Sequence, residues 1–75
     1  MSRLPRLTGK QVIAALRRGD WQLSHIRGSH HYLRKGSTVV CVPVHSGEVL
    51  CPKTMLSILH QAGLSVEELL ELIKE

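Results

Sequence analysis

Six consecutive residues, Arg27-Gly28-Ser29-His30-His31-Tyr32, gather a cation, a glycine, a hydroxyl, two imidazoles and a ring. A small domain does not need that collection merely to fold, so the stretch is read first for chemistry. Imidazole has an unperturbed pKa of about 6.5, so near neutrality it can either take or give a proton. Glycine permits unusual backbone dihedrals and a close approach to a ligand. Amides around Gly28 and Ser29 could hold a phosphate oxygen, and Arg27 could neutralise its charge. RNA suits such a set because it carries its own nucleophile, the 2′-hydroxyl. Cleavage then needs a base for that proton and an acid for the departing 5′-oxygen, and a positioned group of either kind contributes about 10²–10⁴ in rate. His30 is the residue expected to do this.

One imidazole cannot serve both roles in a single concerted step. His31, His45, Lys35 and the Ser29 hydroxyl are candidates for the second. Side chains alternate along a strand, so His31 should point away from His30's face, and His45 ranks above it. Tyr32 should share His30's face, where its ring could stack on a splayed base or simply pack. Arg27, Gly28, Tyr32, Arg34 and Lys35 are the residues expected to contact RNA. His25 and His60 lack supporting context and are assigned to surface or helix-end positions. His30, His31, Cys41, His45 and Cys51 include possible metal ligands. Their spacing matches neither CxxC nor HExxH, no carboxylate sits among them, and adjacent strand histidines diverge. No metal and no cofactor are expected.

The elements that must position these residues follow from the pattern. Thr8-Gly9-Lys10-Gln11 reads as a capping box opening a helix over about Gly9 to Arg18, with Val12, Ala15 and Leu16 on one face. Gly19 should supply its left-handed stop. Trp21 to Ile26 alternates as a strand, with Trp21 and Leu23 on one face. Trp21 is expected in core or edge packing. Gly28-Ser29 connects to a second strand, His30 to Arg34, and Lys35-Gly36-Ser37 makes a tight turn into a third, Thr38 to Val44. In that strand Val40, Val42 and Val44 line one face and Val39, Cys41 and Pro43 the other. Pro43 cannot donate to a ladder and marks an edge or an end. His45 to Cys51 is a loop or short extended segment. Pro52 opens the next helix, with a stripe of Met55, Ile58, Leu59 and Ala62 and a stop at Gly63. Ser65-Val66-Glu67-Glu68 is a second capping box before a last short helix striped by Val66, Leu69, Leu70 and Ile73.

The order α-β-β-β-α-α describes one α+β domain over residues 1–75. A three-stranded antiparallel meander carries helices on one face and leaves the other free, as in a double-stranded-RNA-binding-like domain. Composition agrees. Residues 1–64 hold nine Lys/Arg against Asp20 and Glu48, while residues 65–75 hold Lys74 against four Glu. A basic body favours polyanions, the alternative being a charged surface kept for solubility. No apolar run approaches the ~20 residues that cross a bilayer. Arg3 to Arg6 is a short basic lead-in, and Met1 to Arg6 lacks the apolar stretch of a secretory signal. A soluble cytoplasmic protein is expected, with Cys41 and Cys51 as buried reduced thiols.

Four segments make the chain resemble a known family. They are Leu7-Thr8-Gly9-Lys10, Gly28-Ser29-His30-His31, Val42-Pro43-Val44-His45 and Ser57-Ile58-Leu59-His60-Gln61-Ala62-Gly63-Leu64. In order and spacing the chain is similar to the HicA toxins, small ribonucleases of toxin–antitoxin pairs, over about residues 7–73. The resemblance implies a fold like that of a double-stranded-RNA-binding domain. It further implies cleavage of messenger RNA with His30 as the catalytic histidine, and a HicB antitoxin that covers the site; with no metal expected from the residues, that cleavage would be metal-independent. Two other readings stay open. One is a non-catalytic RNA-binding module of the same fold. The other is a protein-interaction surface on the acidic last helix, where Leu72 lies outside the stripe and would serve a second contact.

Overall fold

The computed structural model describes residues 4–74; the start of the basic lead-in, through Arg3, and Glu75 lie outside them. Helix α1 (Gly9–Arg18) opens on the expected capping box. The Gln11 amide donates to Thr8 Oγ1 at 3.2 Å, and the Thr8 amide donates to Gln11 Oε1 at 2.8 Å. These bonds satisfy two of the donors that a helix start leaves without partners.

The end of α1 differs from expectation. Gly19 is not left-handed (φ −91°); Asp20, one residue later, has φ +72°. The Asp20 amide donates to the Arg17 carbonyl at 3.2 Å and the Trp21 amide to the Leu16 carbonyl at 3.1 Å. This is the Schellman arrangement with Asp20 in the left-handed position, accompanied by the apolar contact between its flanking residues, here Leu16 and Trp21 in the core. Space at Gly19 is tight: a Cβ there would lie 3.1 and 3.3 Å from the two methyls of Leu72 and 3.3 Å from the Leu16 carbonyl oxygen.

Strands β1 (Gln22–Arg27), β2 (His30–Lys35) and β3 (Thr38–Pro43) form an antiparallel meander in the order β1-β2-β3. Two Gly-Ser turns join them, with Gly28 at φ +57° and Gly36 at φ +62°. Glycine first with positive φ is what the type II′ hairpin turn requires. Beyond β3, the Leu50 amide donates to the Leu7 carbonyl at 2.8 Å, and Val49 bridges Thr8. Helix α2 (Pro52–Ala62) starts on Pro52 and stops at left-handed Gly63 (φ +69°). Helix α3 (Val66–Lys74) opens on the second capping box, Ser65 with Glu68.

The core is one cluster between the helices and one sheet face. It contains Val12, Ala15 and Leu16 of α1, Trp21, Leu33 of β2, Val40 and Val42 of β3, Met55, Ile58 and Leu59 of α2, and Leu69 of α3. No polar or charged residue is buried among the described residues. The alternation expected for β3 holds, and Trp21 is core as expected. Leu72 does not reach outward to a partner. It is half-buried against the α1 end at Gly19, where Arg18 Nη1 also donates to the Leu72 carbonyl at 3.1 Å. The cysteines differ from expectation too: Cys41 is half-buried and Cys51 exposed, because position 51 caps α2 and lies outside its stripe.

Candidate active site on the open sheet face

Residues directly opposite in antiparallel strands share a face. The register pairs His31 with Val42 and Leu33 with Val40, which fixes the helix-covered side. His30, Tyr32 and Arg34 of the central strand therefore lie on the open side. Opposite them on β3 are Pro43, Cys41 and Val39, and on β1 Arg27, His25 and Gln22. These nine positions carry two arginines, two histidines and no carboxylate.

The placement of β1 depends on an irregularity. Leu23 pairs with Leu33, yet His25 pairs with Tyr32, so Ser24 is an extra residue in a β-bulge. Regular alternation from Leu23 would have put His25 and Arg27 on the helix side. The bulge shifts both to the face of His30 and leaves Leu23 and Ile26 together on the other.

His30 begins β2 with its side chain exposed, between Arg27 on one neighbouring strand and Pro43 on the other. The Val44 amide donates to the Ser29 carbonyl at 2.7 Å. That bond makes His30–Pro43 a non-hydrogen-bonded pair, in which side chains approach most closely. It also explains how proline is tolerated, because an amide at 43 would point away from β2. Gly28 stands in open space, with no atom within 4 Å of where a Cβ would be, so its backbone is accessible. Ser29 is half-buried, and its carbonyl also faces His31 Nδ1 at 3.3 Å.

The other sequence candidates divide cleanly. Arg27, Tyr32 and Arg34 join His30 on the open face. His31 is half-buried on the helix side, as alternation required. Lys35 also lies on that side, its Nζ donating to the Gly19 carbonyl at 2.9 Å, so it is tied to the end of α1 and away from His30. His45 is exposed in the turn after β3, closed by the Glu48 amide donating to the His45 carbonyl at 2.9 Å. It borders a groove of about 220 Å³ with Pro43, Cys51 and Thr54, at the same end of the sheet as His30. His25, which lacked context in the sequence, stacks on Tyr32 with ring centroids 4.4 Å apart and planes 7° from parallel. Its Nδ1 lies 3.2 Å from Ser24 Oγ. No group of three or more His, Cys, Asp or Glu among the described residues could hold a metal ion.

Fold and face together define a small α+β domain that presents a cationic, imidazole-bearing sheet to solvent. The family model described as the HicA toxin of bacterial toxin–antitoxin matches residues 9–64, three quarters of the chain, and the chain belongs to that family. It is therefore the toxin of such a pair, and a cognate antitoxin is its partner. Helix α3 lies beyond the matched stretch. No curated protein matches the chain. No helix of the described residues is long and apolar enough to cross a membrane.

Proposed function

We propose that this toxin is a metal-independent endoribonuclease that cleaves messenger RNA, with His30 transferring a proton at the scissile phosphate. The observation that carries the reading is the position of His30. It is exposed at the head of the central strand, opposite Arg27 and beside a glycine turn, on a face without a carboxylate. Arg27 and the Gly28-Ser29 backbone hold the phosphate, and Tyr32 and Arg34 continue the contact surface along the strand. The 2′-oxygen attacks phosphorus and the bond to the 5′-oxygen breaks, leaving a 2′,3′-cyclic phosphate and a 5′-hydroxyl. The antitoxin, of the HicB kind, inhibits by covering His30 and setting acidic groups against Arg27 and Arg34.

The test is cleavage of messenger RNA in EDTA by the wild type and by His30→Ala, with product ends analysed, and growth arrest on expression of each. Loss of about 10²-fold or more in rate is expected for His30→Ala. Undiminished cleavage by that variant removes His30 from the mechanism. RNA that is retarded but intact with the wild type favours the non-catalytic binding module instead. Added antitoxin should stop cleavage and protect His30 from modification by diethyl pyrocarbonate.

A further inference from the structure

The bulge at Ser24 brings a second imidazole to the face of His30 and holds it in one orientation. His25 pairs with Tyr32 and Arg27 with His30, so the two histidines are diagonal neighbours on adjacent strands. Diagonal positions lie about 7–8 Å apart, within reach of long side chains. That span lets two rings flank one phosphate. An in-line displacement needs this, because the attacking and leaving oxygens sit on opposite sides of phosphorus.

The ring of His25 is also fixed. Tyr32 covers one of its faces, in near-parallel stacking. Ser24 Oγ lies 3.2 Å from Nδ1, a contact that a hydroxyl can make as donor or acceptor, and Nε2 has no hydrogen-bond partner among the described residues. A stacked ring has one π-face occupied and its edge available, which suits proton transfer at the edge better than stacking on a base. The alternatives are less well placed. His31 is on the helix side and Lys35 is bonded to Gly19. His45 lies past the end of β3, and no hydrogen bond of its ring holds it among the described residues. A catalytic group held in place before substrate arrives loses less on reaching the reactive geometry.

We propose that His25 is the second proton-transfer group of this site, acting across the scissile phosphate from His30. The inference rests on the ribonuclease reading above. One imidazole takes the 2′-hydroxyl proton as the 2′-oxygen bonds to phosphorus. The P–O5′ bond breaks with its electron pair passing to the 5′-oxygen, which takes a proton from the other, protonated imidazole. The net change is a proton moved from the 2′- to the 5′-oxygen, with nothing oxidised or reduced, and exchange with water resets both rings.

The experiment measures single-turnover cleavage of an RNA oligonucleotide against pH for the wild type, His25→Asn, His25→Ala and His30→Ala. Affinity is measured in parallel for the same oligonucleotide with 2′-O-methyl riboses. The wild-type rate should pass through a maximum in pH. His25→Asn should lower it about 10²-fold or more and remove one limb of the profile, while affinity for the methylated RNA stays within about twofold. Free imidazole should partly restore cleavage by His25→Ala, which a role in folding alone would not produce. Because His25 is exposed, thermal unfolding of both variants should match the wild type. An unchanged rate and two-limbed profile in His25→Asn, with His30→Ala inactive, overturns this inference and leaves the ribonuclease reading standing. Weakened affinity with both limbs retained overturns it in favour of a stacking role. A wild type that does not cleave overturns both.

Discussion

Cys51 shows how one atom's surroundings set its reactivity. Its thiol is exposed at the cap of α2, with Thr54 Oγ1 3.1 Å from Sγ. The Thr54 hydroxyl first, and then the Thr54 amide, stabilise the thiolate and lower the thiol pKa from its ordinary 9.0. The thiolate is the reactive form, so alkylation of Cys51 should half-saturate at a pH below that value. Iodoacetamide should label Cys51 before half-buried Cys41, as read by mass spectrometry of timed aliquots, and Thr54→Val should slow it. Labelling of Cys41 first would contradict the assignment. Chemistry of this kind was only partly legible beforehand. The shared face of His30 and Tyr32 could be read from a six-residue stretch because it follows from alternation. The placement of Arg27 and His25 on that face could not, since it depends on the bulge at Ser24, and pairing register is a property of two strands.

At the scale of elements, both capping boxes and all three strands were readable because their signals are local: Thr8 and Gln11 are three residues apart, as are Ser65 and Glu68. The bounds of α1 were read as they stand, with Gly19 at its end, but the left-handed conformation falls one residue later, on Asp20. Gly9 is a glycine whose place is set by space, with a measurable consequence. It is buried at the first position of α1, and a Cβ there would collide with the Pro43 carbonyl oxygen and lie 3.0 Å from Val44 Cγ2. Alanine in a helix is favoured over glycine by up to about 1 kcal/mol. Overpacking against backbone costs typically about 1–3 kcal/mol and should win. Gly9→Ala is therefore expected to lower the urea midpoint, with exposed Lys10→Ala as the control. It should also impair cleavage, because the displaced strand end lies opposite His30. An unchanged or raised midpoint would mean that α1 does not dock this closely.

At the scale of the whole molecule the open sheet is a cationic face: Arg27 and Arg34 sit on it, and none of its nine positions is a carboxylate. A polyanion is drawn to such a face. Affinity for single-stranded RNA should fall linearly with salt on logarithmic axes, by about 0.7 per phosphate contact. Arg27→Ala and Arg34→Ala should each reduce that slope by about this amount, measured by fluorescence anisotropy between low and physiological salt. A slope insensitive to both would place the RNA elsewhere.

The two margins of the sheet are not equivalent. Of the three β3 positions whose amides would point outward, Pro43 has none to offer and the Cys41 amide donates to Gln61 Oε1 at 3.2 Å, which leaves Val39. Helix α2 thus occupies the middle of this margin through Gln61, whose Nε2 donates to Ser57 Oγ at 3.0 Å. A strand arriving at this margin would find one amide to accept from, at Val39, and so would gain few of the bonds that a regular sheet edge offers.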